Sequence, residues 1–315
     1  MSLDLTDLEA RLDTLGQAHL IAHLRTLDDA ARARLAAQLD ALEDPLVDAL
    51  AERVRGRVQA SVPAAPEPPA TVTLTAAHRG AGEALLRAGQ VAAFTVAGGQ
   101  GTRLGHAGPK GTFPATPVTA KPLFQVFAEY IQAVGQRAGA PVPWYIMTSP
   151  ENDAETRAFF RENKAFGLGE GQVRFFPQGT LPTFDPQGRL VLAAPDRLAT
   201  NPDGHGGSLT ALAASGALAD MAARGVTQIA YFQVDNPLAQ PLDAAFLGAH
   251  VGARGSSGEM SSKAVRKTRP EERVGVFAQV DGRTRVVEYS DLDPRLAEAR
   301  YRARILDRLP RMKRT

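Results

Sequence analysis

The sequence predicts an α/β protein, with a mixed, mostly parallel sheet that follows a helical segment. Two features of the chain support this fold class. Leucines recur at helical spacing in residues 3–57, and apolar stretches of strand length then alternate with helical stretches as far as residue 289. Strands that alternate with helices are typical of parallel sheets, because each parallel connection needs a long crossover.

These patterns divide the 315 residues into four regions. Residues 1–58 are predicted to form two or three amphipathic helices. Residues 59–75 are predicted to be a linker, because the stretch SVPAAPEPP interrupts the helical periodicity with proline and alanine. Residues 76–294 are predicted to form the α/β domain, and residues 295–315 a basic tail for which no structure is predicted.

Within the α/β domain, the apolar runs and their spacing predict an order of elements. Helices are expected at residues 76–88, 154–163 and 208–224, and strands at 91–97, 143–149, 172–178 and 228–235. The two apolar runs 274–280 and 284–289 flank the residues Asp-Gly-Arg. Such a pair of runs around a short turn indicates a β-hairpin.

The composition excludes several classes of function. The chain has no cysteine, which excludes disulfides, thiolate zinc sites and a cysteine nucleophile. No apolar run approaches the length of a membrane span. The first residues, MSLDLTDLEARLDTL, are acidic and amphipathic, unlike the basic and then apolar order of a signal peptide. We therefore expect a cytoplasmic protein that has no membrane partner.

The isoelectric point near 9.0 suggests nucleic-acid binding, but the location of the charge argues against it. Residues 295–315 contain eight Lys or Arg and two Asp or Glu, a net charge of +6. The whole chain is +2, which leaves residues 1–294 at −4. A nucleic-acid-binding domain usually carries basic residues across one face, so no nucleic-acid partner is expected.

A glycine-rich loop follows the predicted strand 91–97 and has the composition of a phosphate site. It holds six glycines, Arg103 and Lys110 within residues 98–111. The P-loop pattern fails because PKGT places lysine before glycine, and GQGTRLG is one residue longer than the dinucleotide pattern GxGxxG. Backbone N–H groups at a strand end, together with two nearby cations, still predict that the loop binds phosphate oxygens.

The loop VAGGQGTRLG and the PKG that follows resemble the nucleotide loop of UDP-sugar pyrophosphorylases of the UDP-N-acetylhexosamine type. Further blocks extend the similarity in the same order along residues 93–292: MTSPENDAETRAFFRENKAFGL, RFFPQGTLP, NPDGHGGSLTAL, FQVDNPL and VGVFAQVDGRTRVVEYSDL. The resemblance implies a Rossmann-like, GT-A-like nucleotidyltransferase sheet. It also implies an enzyme that makes a UDP-sugar and pyrophosphate from UTP and a hexose 1-phosphate, with N-acetylglucosamine 1-phosphate favoured.

The resemblance assigns roles to individual residues. Arg103 and Lys110 would be catalytic, holding the triphosphate and stabilising the departing pyrophosphate. Asp235, at the end of strand 228–235, would bind Mg²⁺ or Mn²⁺. The residues that would contact the nucleotide or the sugar are Ala97, Gly98, Gly99, Gly101, Thr102, Gln178, Gly204, His205 and Glu288. Of these, Gln178 would read the uracil edge and Glu288 would accept hydrogen bonds from sugar hydroxyls.

Two departures from the family pattern leave alternatives open. The hexosamine type often has Asn at the position of His205, and a GHG sequence is common among relatives with other sugar substrates, so glucose or galactose 1-phosphate is the alternative acceptor. After the EYS block, family members continue with an Asn-rich strand, another lysine and a small domain. The basic tail here lacks that motif, so we expect a truncated chain, and a non-catalytic nucleotide-binding remnant is the second alternative. The oligomeric state is not predicted.

Overall fold

The computed structural model of the protein describes residues 5–56, 69, 71–269, 271–280 and 283–289. The helices are α1 Leu5–Thr14, α2 Ala18–Leu24, α3 Asp29–Asp40, α4 Asp44–Val54, α5 Ala76–Arg87, α6 Leu123–Ala138, α7 Asp153–Glu162, α8 Gly207–Ala214, α9 Ala217–Ala223 and α10 Ala244–Gly252. The strands are β1 Val91–Val96, β2 Trp144–Thr148, β3 Val173–Pro177, β4 Thr180–Pro182, β5 Leu192–Ala194, β6 Arg197–Leu198, β7 Thr200–Pro202, β8 Gln228–Gln233, β9 Val276–Val280 and β10 Arg283–Val287.

The central sheet has four strands in the order β3-β2-β1-β8, and every neighbouring pair is parallel. Its four strands lie within two residues of the predicted ones, and the α/β prediction is confirmed. One face packs against α5, α6 and α7 through a core that includes Phe124, Phe127 and Trp144. The other face packs against α8 and α9 through Phe94 and Tyr145. Burial on both faces explains why β1 and β2 are almost continuously apolar, whereas β8 alternates buried and exposed residues.

The amino-terminal region is helical, as predicted, but contains four helices instead of two or three. Gly16, with φ of 67°, separates α1 from α2. The carboxylate of Asp28 accepts from the Ala31 N–H at 2.8 Å and caps the start of α3. Apolar residues of α1, α2 and α3 form a separate core, to which Leu190 and Leu198 of the α/β region also contribute.

The structure corrects the sequence prediction at residues 208–224. The single predicted helix is two helices, α8 and α9, because Gly216 has φ of 73° and breaks the run. Helices α6 and α10 and the short strands β4 to β7 were not predicted. The predicted hairpin is confirmed, since β9 and β10 pair antiparallel in the register Arg283↔Val280.

Some predicted boundaries cannot be compared with the structure. The basic tail 295–315 lies outside the described residues, as do 59–68 and residue 70 of the linker. The division into four regions therefore stays a prediction. Within the described ranges, no helix is long and apolar enough to cross a membrane.

Helices α5 and α10 cross with their backbones in direct contact. A Cβ atom added to Gly82 would lie 1.8 Å from the carbonyl oxygen of Ala244, and one added to Gly248 would lie 1.8 Å from that of His78. These obstacles are backbone atoms of the partner helix, so a side-chain rotation cannot relieve the clash. The crossing therefore requires glycine at both positions.

We expect Gly82→Ala to lower the free energy of unfolding by about 2 kcal/mol or more, because the helices must separate to admit the methyl group. Gly80→Ala is the matched control in the same helix, since nothing lies within 4 Å of its added Cβ. The control should be neutral or stabilise by about 0.5–1 kcal/mol through helix propensity. Urea denaturation of both variants measures the difference, and equal midpoints would contradict the tight crossing.

Candidate functional site

The carboxyl ends of β1 and β8 meet where the strand order reverses. From β1 the chain proceeds to β2 and β3 on one side, whereas β8 returns to the other side of β1. The Val234 N–H donates to the Val96 carbonyl at 3.1 Å and carries the pairing beyond the strand ends. In open α/β sheets, ligands bind in the crevice at such a switch point. The glycine-rich loop begins at this crevice, and Asp235 lies there as well.

The glycine-rich loop folds back on itself through backbone hydrogen bonds. Gly101 N–H donates to the Gly108 carbonyl at 2.8 Å, and Lys110 N–H donates to the Gly99 carbonyl at 3.0 Å. Residues Gly101–Leu104 form one turn of 3₁₀ helix, which begins at the buried Gly101. These bonds fix the loop without a bound ligand, and Thr102 and Arg103 are exposed on it.

The start of the loop is held by β2 and by the turn between β2 and α7. The Ala97 N–H donates to the Met147 carbonyl at 2.7 Å, and its carbonyl accepts from the amide of Asn152 at 3.0 Å. Asn152 is fully buried and was not predicted as a site residue. A Cβ added to Gly98 would lie 2.9 Å from Nε2 of Gln178, so the buried Gln178 amide packs against the bare Gly98 backbone.

An ion pair joins the loop to the end of β8. Lys110 Nζ donates to Asp235 Oδ2 at 2.8 Å, and the lysine stem lies against Gly99, whose added Cβ would be 3.2 Å from Lys110 Cε. The two side chains are 22% and 39% exposed, so the pair faces solvent and water screens the attraction. Arg103 has no hydrogen-bond or ion-pair partner in the described part of the chain. A ligand with phosphate oxygens could therefore bind the unpaired Arg103 side chain directly and replace Asp235 as the partner of Lys110.

His205 lies between two side chains of β8. Its Nδ1 is 2.5 Å from the Tyr231 hydroxyl, and its Nε2 is 3.3 Å from Nε2 of Gln233. With the Gln233 amide donating to Nε2, the imidazole carries its proton on Nδ1 and directs it to the Tyr231 oxygen. Burial raises the pKa of Tyr231, so the phenol keeps its proton near neutral pH. Neither Tyr231 nor Gln233 was predicted as a site residue. The signal that could have identified them is that both are polar side chains in an otherwise apolar strand.

Asp203 of the PDGHGG turn is a further residue that sequence reasoning missed. Its Oδ1 is buried and accepts no hydrogen bond from the described residues. The carboxylate fills the space beside two glycines, since a Cβ on Gly207 would lie 1.8 Å from Oδ2 and one on Gly179 would lie 2.4 Å from it. Burial raises the pKa of Asp203 above the usual carboxyl range. The next residue, Gly204, has φ of 69°, which favours glycine.

Glu288 is the one predicted site residue that the structure does not connect to the others. It follows β10, is exposed, and lies beside Gly275, whose added Cβ would be 3.3 Å from Glu288 Oε1. No hydrogen bond or ion pair of the described residues links Glu288 to the loop, to Gln178 or to Asp235. Its proposed contact with the sugar stays a prediction.

The residues at the end of β8 fit a hard cation that takes most of its ligands from a bound phosphate. Asp235 offers one accessible carboxylate, and the described ranges hold no group of three or more His, Asp or Glu that could bind a metal on its own. Mg²⁺ is commonly held by one or two carboxylates plus substrate phosphates and water. The donor set is therefore consistent with a metal that arrives with a nucleotide.

Comparisons with known proteins are consistent with this site. A family model described as UTP--glucose-1-phosphate uridylyltransferase matches residues 62–304. The chain is 42% identical over 223 residues to UDP-N-acetylglucosamine diphosphorylase 1 of Arabidopsis thaliana, which covers 67% of this chain and 44% of that protein. It is 37% identical over 319 residues to UDP-N-acetylhexosamine pyrophosphorylase-like protein 1 of Homo sapiens, covering 93% of this chain and 62% of that protein.

Solved structures agree in fold. The crystal structure of the uridine diphosphate N-acetylglucosamine pyrophosphorylase from Trypanosoma brucei, in complex with inhibitor, superposes with a TM-score of 0.76 at 29% identity. The match covers 93% of this chain and 62% of that one. A putative UDP-N-acetylglucosamine pyrophosphorylase from Entamoeba histolytica gives 0.64 at 32% identity, with 73% and 59% coverage. The chain spans about half the length of the curated relatives it matches.

We expect Asp203→Asn to stabilise the fold at neutral pH, because it removes the charge of a partly buried carboxylate whose Oδ1 accepts no hydrogen bond from the described residues. The direction of the pH dependence follows from the raised pKa of Asp203. The stability that protonation of Asp203 contributes is fully present below the ordinary carboxyl pKa and is lost as the pH rises through the raised value. Thermal unfolding at a series of pH values should show the advantage of the variant shrinking on acidification. An advantage that does not change with pH would contradict the assignment.

Proposed function

This chain belongs to the UTP--glucose-1-phosphate uridylyltransferase family, and we propose that it transfers the uridylyl group of UTP to N-acetylglucosamine 1-phosphate. The resemblance inferred from the sequence blocks is thereby confirmed at the level of the family. Several relatives at 37–42% identity are named as UDP-N-acetylglucosamine diphosphorylases, as probable or established UDP-N-acetylglucosamine pyrophosphorylases, or as a UDP-N-acetylhexosamine pyrophosphorylase-like protein, which supports this acceptor. The proposal includes a cytoplasmic location.

The Lys110–Asp235 ion pair is the observation that carries the proposal. The ion pair holds the Lys110 cation of the loop and the Asp235 carboxylate, which follows β8, close together at the sheet edge. Transfer of a nucleotidyl group needs a cation for the phosphate oxygens and a carboxylate for the metal that accompanies the triphosphate. Arg103, on the same loop, supplies a second cation with a planar, bidentate geometry.

The proposed reaction is an in-line displacement at phosphorus. An oxygen of the sugar phosphate forms a bond to the α-phosphorus of UTP, while the bond to the bridging oxygen of the β-phosphate breaks and pyrophosphate leaves with the electron pair. The attacking phosphate is already ionised at neutral pH, so no side chain has to remove a proton. The chain therefore contributes by positioning the reactants and by stabilising the charge on the leaving group.

Substrate recognition is assigned to the residues around the start of the loop. Gln178 would hydrogen-bond the uracil edge, and its packing against Gly98 leaves the amide fixed beside the loop. Ala97, Gly98 and Gly99 have little or no side chain, so the nucleotide can approach their backbone closely. Gly204 and His205 would border the same space from the opposite turn, and Glu288 would accept from sugar hydroxyls.

Asp235 is proposed to hold Mg²⁺ or Mn²⁺ together with phosphate oxygens. When bound, the metal would neutralise charge on the triphosphate. Lys110 would then be released from Asp235 and would donate to the phosphate oxygens instead. The exposure of both side chains makes this exchange possible without a rearrangement of the fold.

The proposal is tested by pyrophosphate release from UTP and Mg²⁺ with N-acetylglucosamine, glucose or galactose 1-phosphate in separate reactions. Fastest release with N-acetylglucosamine 1-phosphate is expected. Preference for glucose or galactose 1-phosphate would support the alternative acceptors that His205 suggests. UTP binding without release with any acceptor would contradict the catalytic proposal and leave nucleotide binding as the function.

We expect Arg103→Ala and Lys110→Ala to lower kcat by about 10²-fold each, with a much smaller change in UTP affinity, because they stabilise charge that develops on the leaving group. Arg137→Ala is the control, since Arg137 is an exposed arginine at the carboxyl end of α6. Single-turnover assays with titration of UTP separate the two effects. Unchanged kcat in both loop variants would exclude the catalytic role.

We expect Asp235→Asn to raise the Mg²⁺ concentration needed for half-maximal activity by about tenfold, because an amide is a neutral and weaker ligand than a carboxylate. The variant also breaks the ion pair with Lys110, so Lys110→Ala serves as the comparison that breaks the pair but keeps the carboxylate. Only Asp235→Asn should raise the Mg²⁺ requirement, because Lys110→Ala frees the Asp235 carboxylate for the metal. An equal rise in both variants would point to the ion pair instead of the metal.

A further inference from the structure

The amino-terminal helices contact a segment that lies between two parts of the proposed site. Residues 183–199, called the arm here, connect β4 to β7, which pair antiparallel in the register Thr180↔Pro202. Gln178 and Gly179 immediately precede β4, and Asp203 immediately follows β7. The Asp203 N–H also donates to the Gly179 carbonyl at 3.2 Å. A displacement of the arm would therefore reach both turns.

Two glutamine side chains, the fully buried Gln17 and the half-buried Gln38, attach the arm to the helices. The Gln17 side chain is fully buried, donates to the Gly188 carbonyl at 3.1 Å and accepts from the Leu190 N–H at 2.8 Å. Gln38 makes the same kind of pair, donating to the Asp196 carbonyl at 2.8 Å and accepting from the Leu198 N–H at 3.1 Å. Each glutamine amide thus gives the arm backbone the pair of hydrogen bonds that a neighbouring strand would otherwise provide.

Further contacts of the same surface add to this attachment. Ring nitrogens of His19 and His23 meet the carbonyls of Leu190 and Pro195 at 2.9 and 2.7 Å. Leu190 and Leu198 are buried in the core of the helical segment. At the periphery, Arg34 pairs with Asp196 at 2.6 Å, and Arg55 donates to the Gln187 carbonyl at 3.0 Å.

The arm is itself a continuous hydrogen-bonded unit. Thr183 N–H donates to the Ala199 carbonyl, Ala199 N–H to that of Val191, and Val191 N–H to that of Thr183, at 2.8 to 2.9 Å. The Asn201 amide adds a bond to the Thr183 hydroxyl at 2.8 Å. The hydrogen bonds of the arm therefore link the residues that the helices hold to β4 and β7, which directly adjoin Gln178–Gly179 and Asp203.

We propose that the amino-terminal helical segment is a positioning element of the uridine site, and that Gln17 and Gln38 are its positioning residues. The inference rests on the proposed function, in which Gln178 reads uracil. Through β4 and β7 the arm leads directly to Gln178 and the Gly204 turn, whereas Arg103 and Lys110 belong to the glycine-rich loop after β1. Loss of the attachment therefore weakens recognition of the uridine part and spares recognition of the triphosphate.

The test compares the binding of UTP and of inorganic tripolyphosphate, each with Mg²⁺, by calorimetry. Gln17→Met keeps the side-chain volume and removes the contacts with the arm. Its Kd for UTP should rise about fivefold to tenfold, on the scale of lost hydrogen bonds to buried groups, while its Kd for tripolyphosphate stays unchanged. Arg32→Ala is the control, because the described partners of Arg32 all lie within the helical segment: the carbonyls of Leu24 and Leu27 and the carboxylate of Asp29. It should change neither Kd.

Equal losses for UTP and tripolyphosphate, or an unchanged Kd for UTP in folded Gln17→Met, would overturn the inference. Should Gln17→Met fail to fold, the double variant Arg34→Ala with Arg55→Ala removes only peripheral contacts with the arm. It should weaken UTP binding about twofold to threefold and spare tripolyphosphate, and no change for UTP would overturn the inference. Failure of the wild-type chain to bind UTP would instead contradict the proposed function itself.

Discussion

The parallel pairing of β1 with β8, in the register Val91↔Gln228 to Val96↔Gln233, is the constraint on which the candidate site depends. It brings the first residue of the glycine-rich loop and the last residues of β8 to the same edge. The loop can then turn back over that edge only because Gly98 and Gly99 leave room for Gln178 and for the Lys110 stem. The Lys110–Asp235 pair is a consequence of this register, and a slip of one residue would turn the alternating side chains of β8 to opposite faces of the sheet.

The sheet and the loop could be predicted from the sequence because their signals are local. The strands are short apolar runs, of which β1 and β2 are buried on both faces, and the loop combines glycines with two cations directly after β1. The pairing of Lys110 with Asp235, 125 residues apart, was implied only indirectly, by the expectation that both contact one triphosphate. The roles proposed for individual side chains came from the family resemblance and not from the pattern itself.

Other parts of the fold could not be predicted because their signals depend on tertiary contacts. The division of α8 from α9 depends on one glycine within an otherwise continuous alanine-rich run. The arm has weak strand patterns, and its backbone is completed by Gln17 and Gln38 from helices more than 150 residues earlier in the chain. In the sequence, Asp203 appears as an ordinary turn residue and Asn152 as an ordinary helix-start residue. Only the structure shows that Asp203 Oδ1 is buried without a partner among the described residues and that the Asn152 amide holds the Ala97 carbonyl.

The most direct test of the account is a crystal structure of the protein with UTP and Mg²⁺ bound. The distance between Lys110 Nζ and Asp235 Oδ2 is 2.8 Å in the present structure. The account predicts that the two side chains separate, with Lys110 on phosphate oxygens, and that the uracil lies against Gln178. A nucleotide bound away from the ends of β1 and β8, or an ion pair that remains intact beside the triphosphate, would contradict it.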